Sequence, residues 1–112
     1  MLNTENTKLT ADIISENLRK LPEWANIDEL KINKTFKFIN FIEALSFVNQ
    51  VGKLAEKYSH HPDIHIYYNQ VNLELWSHDV QGLSAKDFDM ARGIEDIFIV
   101  FRTEEVLEST TY

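Results

Sequence analysis

The sequence predicts an α+β fold, a four-stranded antiparallel sheet with helices packed on one face, in the order αββαββα. Three observations predict it. Apolar residues recur at spacings of three and four over residues 41–58, the period of a helix. Residues 64–76 alternate apolar with polar, the period of strands. A helix-start signature, Leu83-Ser84 with Asp87 and Phe88, follows that alternation.

Taken in order, residues 1–8 are polar and read as loose. A first helix is expected over Thr10–Lys20, with Thr10 as its cap and Leu9 stapled to Ile14. Its apolar stripe is Ile13, Ile14, Leu18 and Leu21, and Pro22 stops it. Residues 24–38 read as two short strands, the first carrying Trp24 and Ile27. In the second, Ile32, Phe36 and Phe38 share one face. Lys34 shares it too, so it is expected either at the sheet's end or with its stem buried and its charge reaching out. The main helix carries Phe41, Ala44, Leu45, Val48, Val51, Ala55 and Tyr58, with Asn40 and Glu43 as a capping box and Pro62 ending the run.

A hairpin with its turn at Asn69-Gln70 puts Ile64, Ile66, Tyr68, Val71, Leu73 and Leu75 on the core face. His65, Tyr67, Asn72, Glu74 and Trp76 take the other face, whose aromatics suggest cover, such as a second subunit. The last helix starts at Ser84 and buries Phe88, Ala91, Ile94, Phe98 and Phe101, with Gly93 allowing close packing. The tail from about Glu104 is expected to fray.

The 112 residues, 44% of them hydrophobic, fit a single domain over 1–112 with an ordered core at about 9–104. The net charge of -7, from 18 acidic and 11 basic residues, repels a phosphate backbone and argues against general nucleic-acid binding. With no cysteine, neither disulfides nor a thiolate metal site can form. No apolar run approaches the roughly 20 residues of a membrane helix, and the N-terminus lacks a secretory pattern. The expectation is a soluble, cytoplasmic protein.

All four histidines fall within 19 residues, at 60, 61, 65 and 78. Histidine is the side chain suited to acid–base work near neutral pH. His60 and His61 stand at the C-terminus of the main helix, whose dipole favours an imidazolium. If helical geometry persists that far, Glu56 faces His60 one turn earlier. The bland reading is a charged last turn. His78 follows the last strand, where a polar residue needs no function, and His65 reads as a surface residue. Histidines and Glu56 are acceptable metal ligands, but adjacent histidines diverge and no HExxH spacing exists, so no metal is expected. Asp87 is the acid at the third position of the last helix, Arg92 and Arg102 read as solvated charges, and Trp24 and Trp76 as packing residues. No phosphate loop and no serine or cysteine nucleophile constellation is present.

At these positions the chain resembles the pterin-4a-carbinolamine dehydratase family. Glu56 is followed after three residues by His60-His61-Pro62, then after five by Tyr68, after nine by His78 and after eight by Asp87. The strings AEKYSHHPDI, YYNQVNLELWSHD, GLSAKDFDMARGIE and FKFINFIEALSFV extend the likeness over roughly residues 18–102. Family members often have arginine where Lys34 stands and threonine at one or both of Trp76 and Ser77.

The resemblance implies loss of water from 4a-hydroxytetrahydropterin to give quinonoid dihydropterin, with Glu56 to Asp87 as the active site. It implies His60, His61 and His78 as catalytic residues, with His60 and His78 as the acid–base pair and His61 anchoring the pterin and able to share in proton transfer, and Glu56, Ser77 and Asp87 as substrate-contacting or histidine-positioning residues. It further implies no cofactor, a homodimer or homotetramer, and a functional link to an aromatic amino acid hydroxylase. Two other roles stand beside it: an interaction module of the kind some members form with a homeodomain factor, which would not require the intact His60, His61 and His78, and a part in another pterin pathway such as molybdopterin metabolism, in which the same histidines could serve.

Overall fold

The computed structural model describes residues 7–110, with side chains through Arg102. The expected order is observed: α1 (Ala11–Leu18), β1 (Ala25–Ile27), β2 (Lys31–Lys37), α2 (Phe41–Tyr58), β3 (Asp63–Tyr67), β4 (Gln70–Leu75) and α3 (Ala85–Thr110). The strands form one antiparallel sheet in the order β1-β2-β4-β3, so β2 and β4 are central and β1 and β3 are edges. Helices cover one face. Part of the expected loose start, residues 1–6, lies outside the described residues, as do the side chains of the tail from Glu104.

The core follows from the strand parity. Ile32 and Phe36 of β2 and Val71, Leu73 and Leu75 of β4 point at the helices and are buried. Opposite them lie Ala44, Phe47, Val51 and Ala55 of α2 and Phe88, Ala91, Ile94, Phe98 and Phe101 of α3. Phenylalanines dominate the contact: Phe36 meets Phe98 at 4.8 Å between ring centroids, and Phe38 meets Phe47 at 4.9 Å. Gly93 brings α3 against α2, because a Cβ there would stand 2.8 Å from Leu54 Cδ2.

Several local expectations are corrected. Thr10 precedes α1 but its side chain makes no cap bond, and the helix ends at Leu18 rather than Lys20. Ile13 is exposed, so the buried stripe of α1 is narrower than predicted. In α2 the buried face centres on Ala44, Phe47, Val51 and Ala55. Phe47, absent from the predicted stripe, is drawn in by Phe36 and Phe38, while Phe41 and Tyr58 at the helix ends stay exposed. Asn40 does cap α2, its Oδ1 accepting from the Glu43 amide at 2.9 Å.

The β3–β4 turn is Tyr68-Asn69, one residue earlier than expected, with Tyr68 at φ 52° and Tyr67 paired to Gln70. Tyr68 therefore leaves the core face and is exposed. Moving the turn by one residue shifts the pairing by two, so Ile64 meets Leu73 and Ile66 meets Val71, and each side chain keeps its predicted face. Asn69 decides the turn: its carbonyl accepts from the Phe38 amide and its side chain donates to the Phe38 carbonyl, at 2.8 and 2.9 Å.

Lys34 sits neither at the sheet's end nor with its charge in water. It pairs with Leu73 in mid-strand and is 7% exposed. Its ammonium lies between Glu23 Oε1 at 2.8 Å and Glu95 Oε2 at 2.6 Å, and 4.5 Å from the Phe36 ring centroid. The Trp24 Nε1–H donates to the same Glu95 oxygen at 2.9 Å. A buried cation persists only with such partners. The hydrogen bond from Lys34, then its charge, hold the Glu23 carboxyl below the usual range; slight burial opposes this and Arg102 adds a smaller pull.

Candidate active site

The end of α2 positions the histidine pair. Ser59 turns into the left-handed region at φ 51°, and the Ser59 and His60 amides bond back to the Glu56 and Ala55 carbonyls. This cap breaks helical geometry before His60, so Glu56 does not face His60 as helical spacing predicts. Glu56 Oε2 instead meets His61 Nε2 at 2.5 Å. Both groups are open to solvent, with side chains 78% and 60% exposed.

His60 turns inward. Its side chain is 11% exposed, and Nε2 lies 2.6 Å from Oδ1 of Asp87, which is fully buried. The other carboxylate oxygen of Asp87 accepts from the Ser77 hydroxyl at 2.8 Å and the Ser84 amide at 3.0 Å. A carboxylate only accepts, so Ser77 spends its proton on Asp87. The 2.6 Å contact between the two serine hydroxyls then has Ser84 as donor. Oδ1 is left for His60, whose Nε2 carries the proton, and the exchangeable lone pair falls on Nδ1. Among the described residues every buried polar side-chain atom has a partner.

The Asp87 carboxylate thus does two jobs. It accepts the backbone amide of Ser84 at the start of α3, as the sequence predicts for a third-position acid, and it reaches across to α2's end. Ser77 and Asp87, at 1% and 0% exposure, stand behind His60 rather than on a surface open to a ligand. Sequence reasoning missed Ser84 as part of this cluster; its role as a helix cap gave no sign of the Ser77 contact.

His78 opens a turn that the Ser77–Gly82 bridge closes. Its carbonyl takes the Gln81 amide at 3.3 Å and the Gln81 side chain at 2.8 Å. The exposed imidazole stacks on the Trp76 indole with centroids 3.7 Å apart. Trp76 Nε1–H points to Asp63 Oδ2 at 3.4 Å, and Lys31 Nζ lies 5.4 Å from the indole centroid. The side chains two apart on an extended segment share a face, which is the signal that could have paired Trp76 with His78.

These contacts join two segments of chain. His60 bonds Asp87, Asp87 bonds Ser77, His78 follows Ser77 and stacks on Trp76, and Trp76 bonds Asp63, two residues past His61. His65 stands apart, on the opposite face from the core, beside Tyr67. A cleft of about 410 Å³ opens beside His60, lined also by Tyr58, Lys86, Arg92 and Asp96. Arg92 itself pairs with Asp89 at 2.6 Å on the surface, as a solvated helix charge. Among the described residues no group of three or more His, Cys, Asp or Glu is placed to hold a metal, and no helix is long and apolar enough to cross a membrane.

Comparison with known proteins adds four findings. Residues 7–97 match the family model described as pterin 4 alpha carbinolamine dehydratase. A protein of Picosynechococcus sp. that carries a provisional pterin-4-alpha-carbinolamine dehydratase name is 51% identical over 85 residues, 76% of this chain and 91% of its own. The crystal structure of a transcriptional coactivator/pterin dehydratase from Brucella melitensis superposes with a TM-score of 0.78 at 36% identity, covering 81% of this chain and 98% of that one. A pterin dehydratase-like RuBisCO assembly factor of the alpha-carboxysome shares the fold, with a TM-score of 0.53 at 20% identity over 60% of this chain.

Proposed function

The chain belongs to the pterin-4a-carbinolamine dehydratase family, and on that premise we propose that His60 and His78 exchange the protons of its reaction while His61 anchors the pterin. The protein is an enzyme, a dehydratase of reduced pterins. Its substrate on this reading is 4a-hydroxytetrahydropterin. The C4a–O bond breaks and its electron pair leaves with the oxygen, which takes a proton from an acid and departs as water. The nitrogen bonded to C4a gives its proton to a base, and the freed pair forms the C=N bond of quinonoid dihydropterin. No electron is gained or lost overall, so two positioned imidazoles suffice. Each such transfer is worth about 10²–10⁴-fold.

The observation that carries this reading is the 2.6 Å bond between His60 Nε2 and buried Asp87. An imidazole held by a carboxylate at one nitrogen presents the other in a set tautomer and orientation. Asp87, with Ser77 and Ser84 behind it, acts on the substrate through His60. His61, exposed and held at Nε2 by Glu56, suits contact with the pterin ring, whose amide and amino edge offers donors and acceptors.

We also read the protein as a homo-oligomer. Support comes from β3, an edge strand whose single charge is Asp63, and from the exposed Ile66, Tyr67 and Tyr68 at its end. The substrate's 4a-hydroxyl marks it as the product of an oxygenation, which supports a link to an aromatic amino acid hydroxylase.

The test is ultraviolet absorbance during dehydration of chemically generated 4a-hydroxytetrahydropterin. Purified protein is expected to speed the decay, and a rate equal to that without protein would overturn the reading.

A further inference from the structure

We propose that Trp76 is a positioning residue for His78: its indole holds the imidazole by stacking and leaves both ring nitrogens open for proton transfer. The inference rests on the proposed role of His78 and deepens it.

Each of the three histidines in the cluster has one holder, and the holders differ in kind. His60 is gripped at Nε2 by Asp87 and His61 at Nε2 by Glu56. Among the described residues, no group hydrogen-bonds either ring nitrogen of His78. An exposed imidazole without a partner samples several rotamers and spends only part of its time in any one. Here the ring lies 3.7 Å from the indole at an angle of 28°, a face-on contact that excludes most of them. The contact is made through the ring face, so it consumes no nitrogen.

The indole is itself held in place. Asp63 takes its Nε1–H at 3.4 Å, and Lys31 lies 5.4 Å from its centroid. Lys31 in turn pairs with Glu74 at 3.5 Å. Trp76 is half-buried at the end of β4, while the backbone of His78 is pinned by the Gln81 bonds and the Ser77–Gly82 bridge. Backbone and ring are thus both fixed, without use of the atoms a proton donor or acceptor needs.

The experiment compares wild type, Trp76→Thr, Trp76→Leu and Trp76→Phe by steady-state kinetics and by proton NMR of the histidine rings. Loss of an aromatic stack is expected to lower kcat about 2- to 10-fold, with KM little changed, in both the Thr and Leu variants. Phe is expected to restore most of the loss, since it keeps a ring face. The His78 ring protons are expected upfield in wild type, shielded by the indole, and at ordinary positions in Trp76→Leu. In a His78→Ala background Trp76→Leu is expected to cause no further loss. A wild-type kcat in Trp76→Leu, an equal loss with His78 absent, or unshifted ring protons would overturn the proposal. An inactive wild type with shifted ring protons would instead overturn the dehydratase reading on which it rests, and the proposed role with it.

Discussion

His60 Nε2 and Asp87 Oδ1 stand 2.6 Å apart across 27 residues of chain, one at the end of α2 and the other in the first turn of α3. The bond joins the segment just after α2, which carries two histidines, to α3, whose start is tied through Ser77 to the segment of the third. Its partners set how the site responds to mutation.

Asp87→Asn keeps one acceptor oxygen but no longer offers a carboxylate to the His60 Nε2–H. The expected result is a fall in kcat of about 10²-fold, the lower edge of what a positioned acid or base contributes. Asp87→Ala should in addition lower stability by about 1–3 kcal/mol, because the Ser77 hydroxyl and Ser84 amide lose a buried acceptor. Chemical denaturation beside steady-state kinetics separates the two effects, and an Asn variant with wild-type kcat would remove Asp87 from the mechanism.

Glu56→Gln touches an exposed pair. Such pairs are worth about 0.2–1 kcal/mol, so the expected loss in kcat/KM is below about 5-fold. A far larger loss would mean that Glu56 contacts the pterin directly. Titration of binding with a non-reactive reduced pterin checks this.

His60→Ala and His78→Ala are expected to lose about 10²–10⁴-fold in kcat while remaining folded by circular dichroism. His65→Ala, on the outer face of β3 beside Tyr67, is expected to keep near-normal activity. Equal losses at His65 and His78 would show that the outer sheet face takes part in the reaction.

Glu23, whose carboxyl lies below its usual value of 4.5, contributes stability above that pH. The contribution is lost as the pH falls through its lowered folded-state value. Wild type is therefore expected to exceed Glu23→Gln in stability at pH 6, with the gap closing as pH drops below about 4.5. Denaturant midpoints measured across pH 3 to 7 would show it, and a constant gap would mean that the bond to Lys34 contributes nothing through charge.

Elements whose signals are local were legible in the sequence. Asn40 caps α2 because an Asn side chain next to a helical run reaches the free amide of Glu43 wherever it occurs. Asp87 accepts the Ser84 amide for the same reason. The β3–β4 faces held through a one-residue shift of the turn, because that shift moves the pairing by two residues, Ile64 meeting Leu73 rather than Leu75, and a shift of two keeps every side chain on its face. Lys34 was not legible: its carboxylate partners, Glu23 and Glu95, lie before β1 and deep in α3, and parity alone gives a charged residue on an apolar face.

The candidate site divides the same way. Sequence alone picked out its candidate residues, since Glu56, His60, His61, His78 and Asp87 stand at spacings that mark a family, and it determined the order of elements that carry them. Only the tertiary structure decided who pairs with whom. The left-handed Ser59 ends α2 one residue before His60 and turns its ring away from Glu56, so that the carboxylate meets His61. His60 then reaches Asp87, and His78 settles on Trp76. The reason is physical: capping and alternation act over a few residues of chain, whereas hydrogen bonds between side chains depend on where the sheet and α3 bring distant segments together, and on one backbone angle that nothing in Tyr58-Ser59-His60 announces.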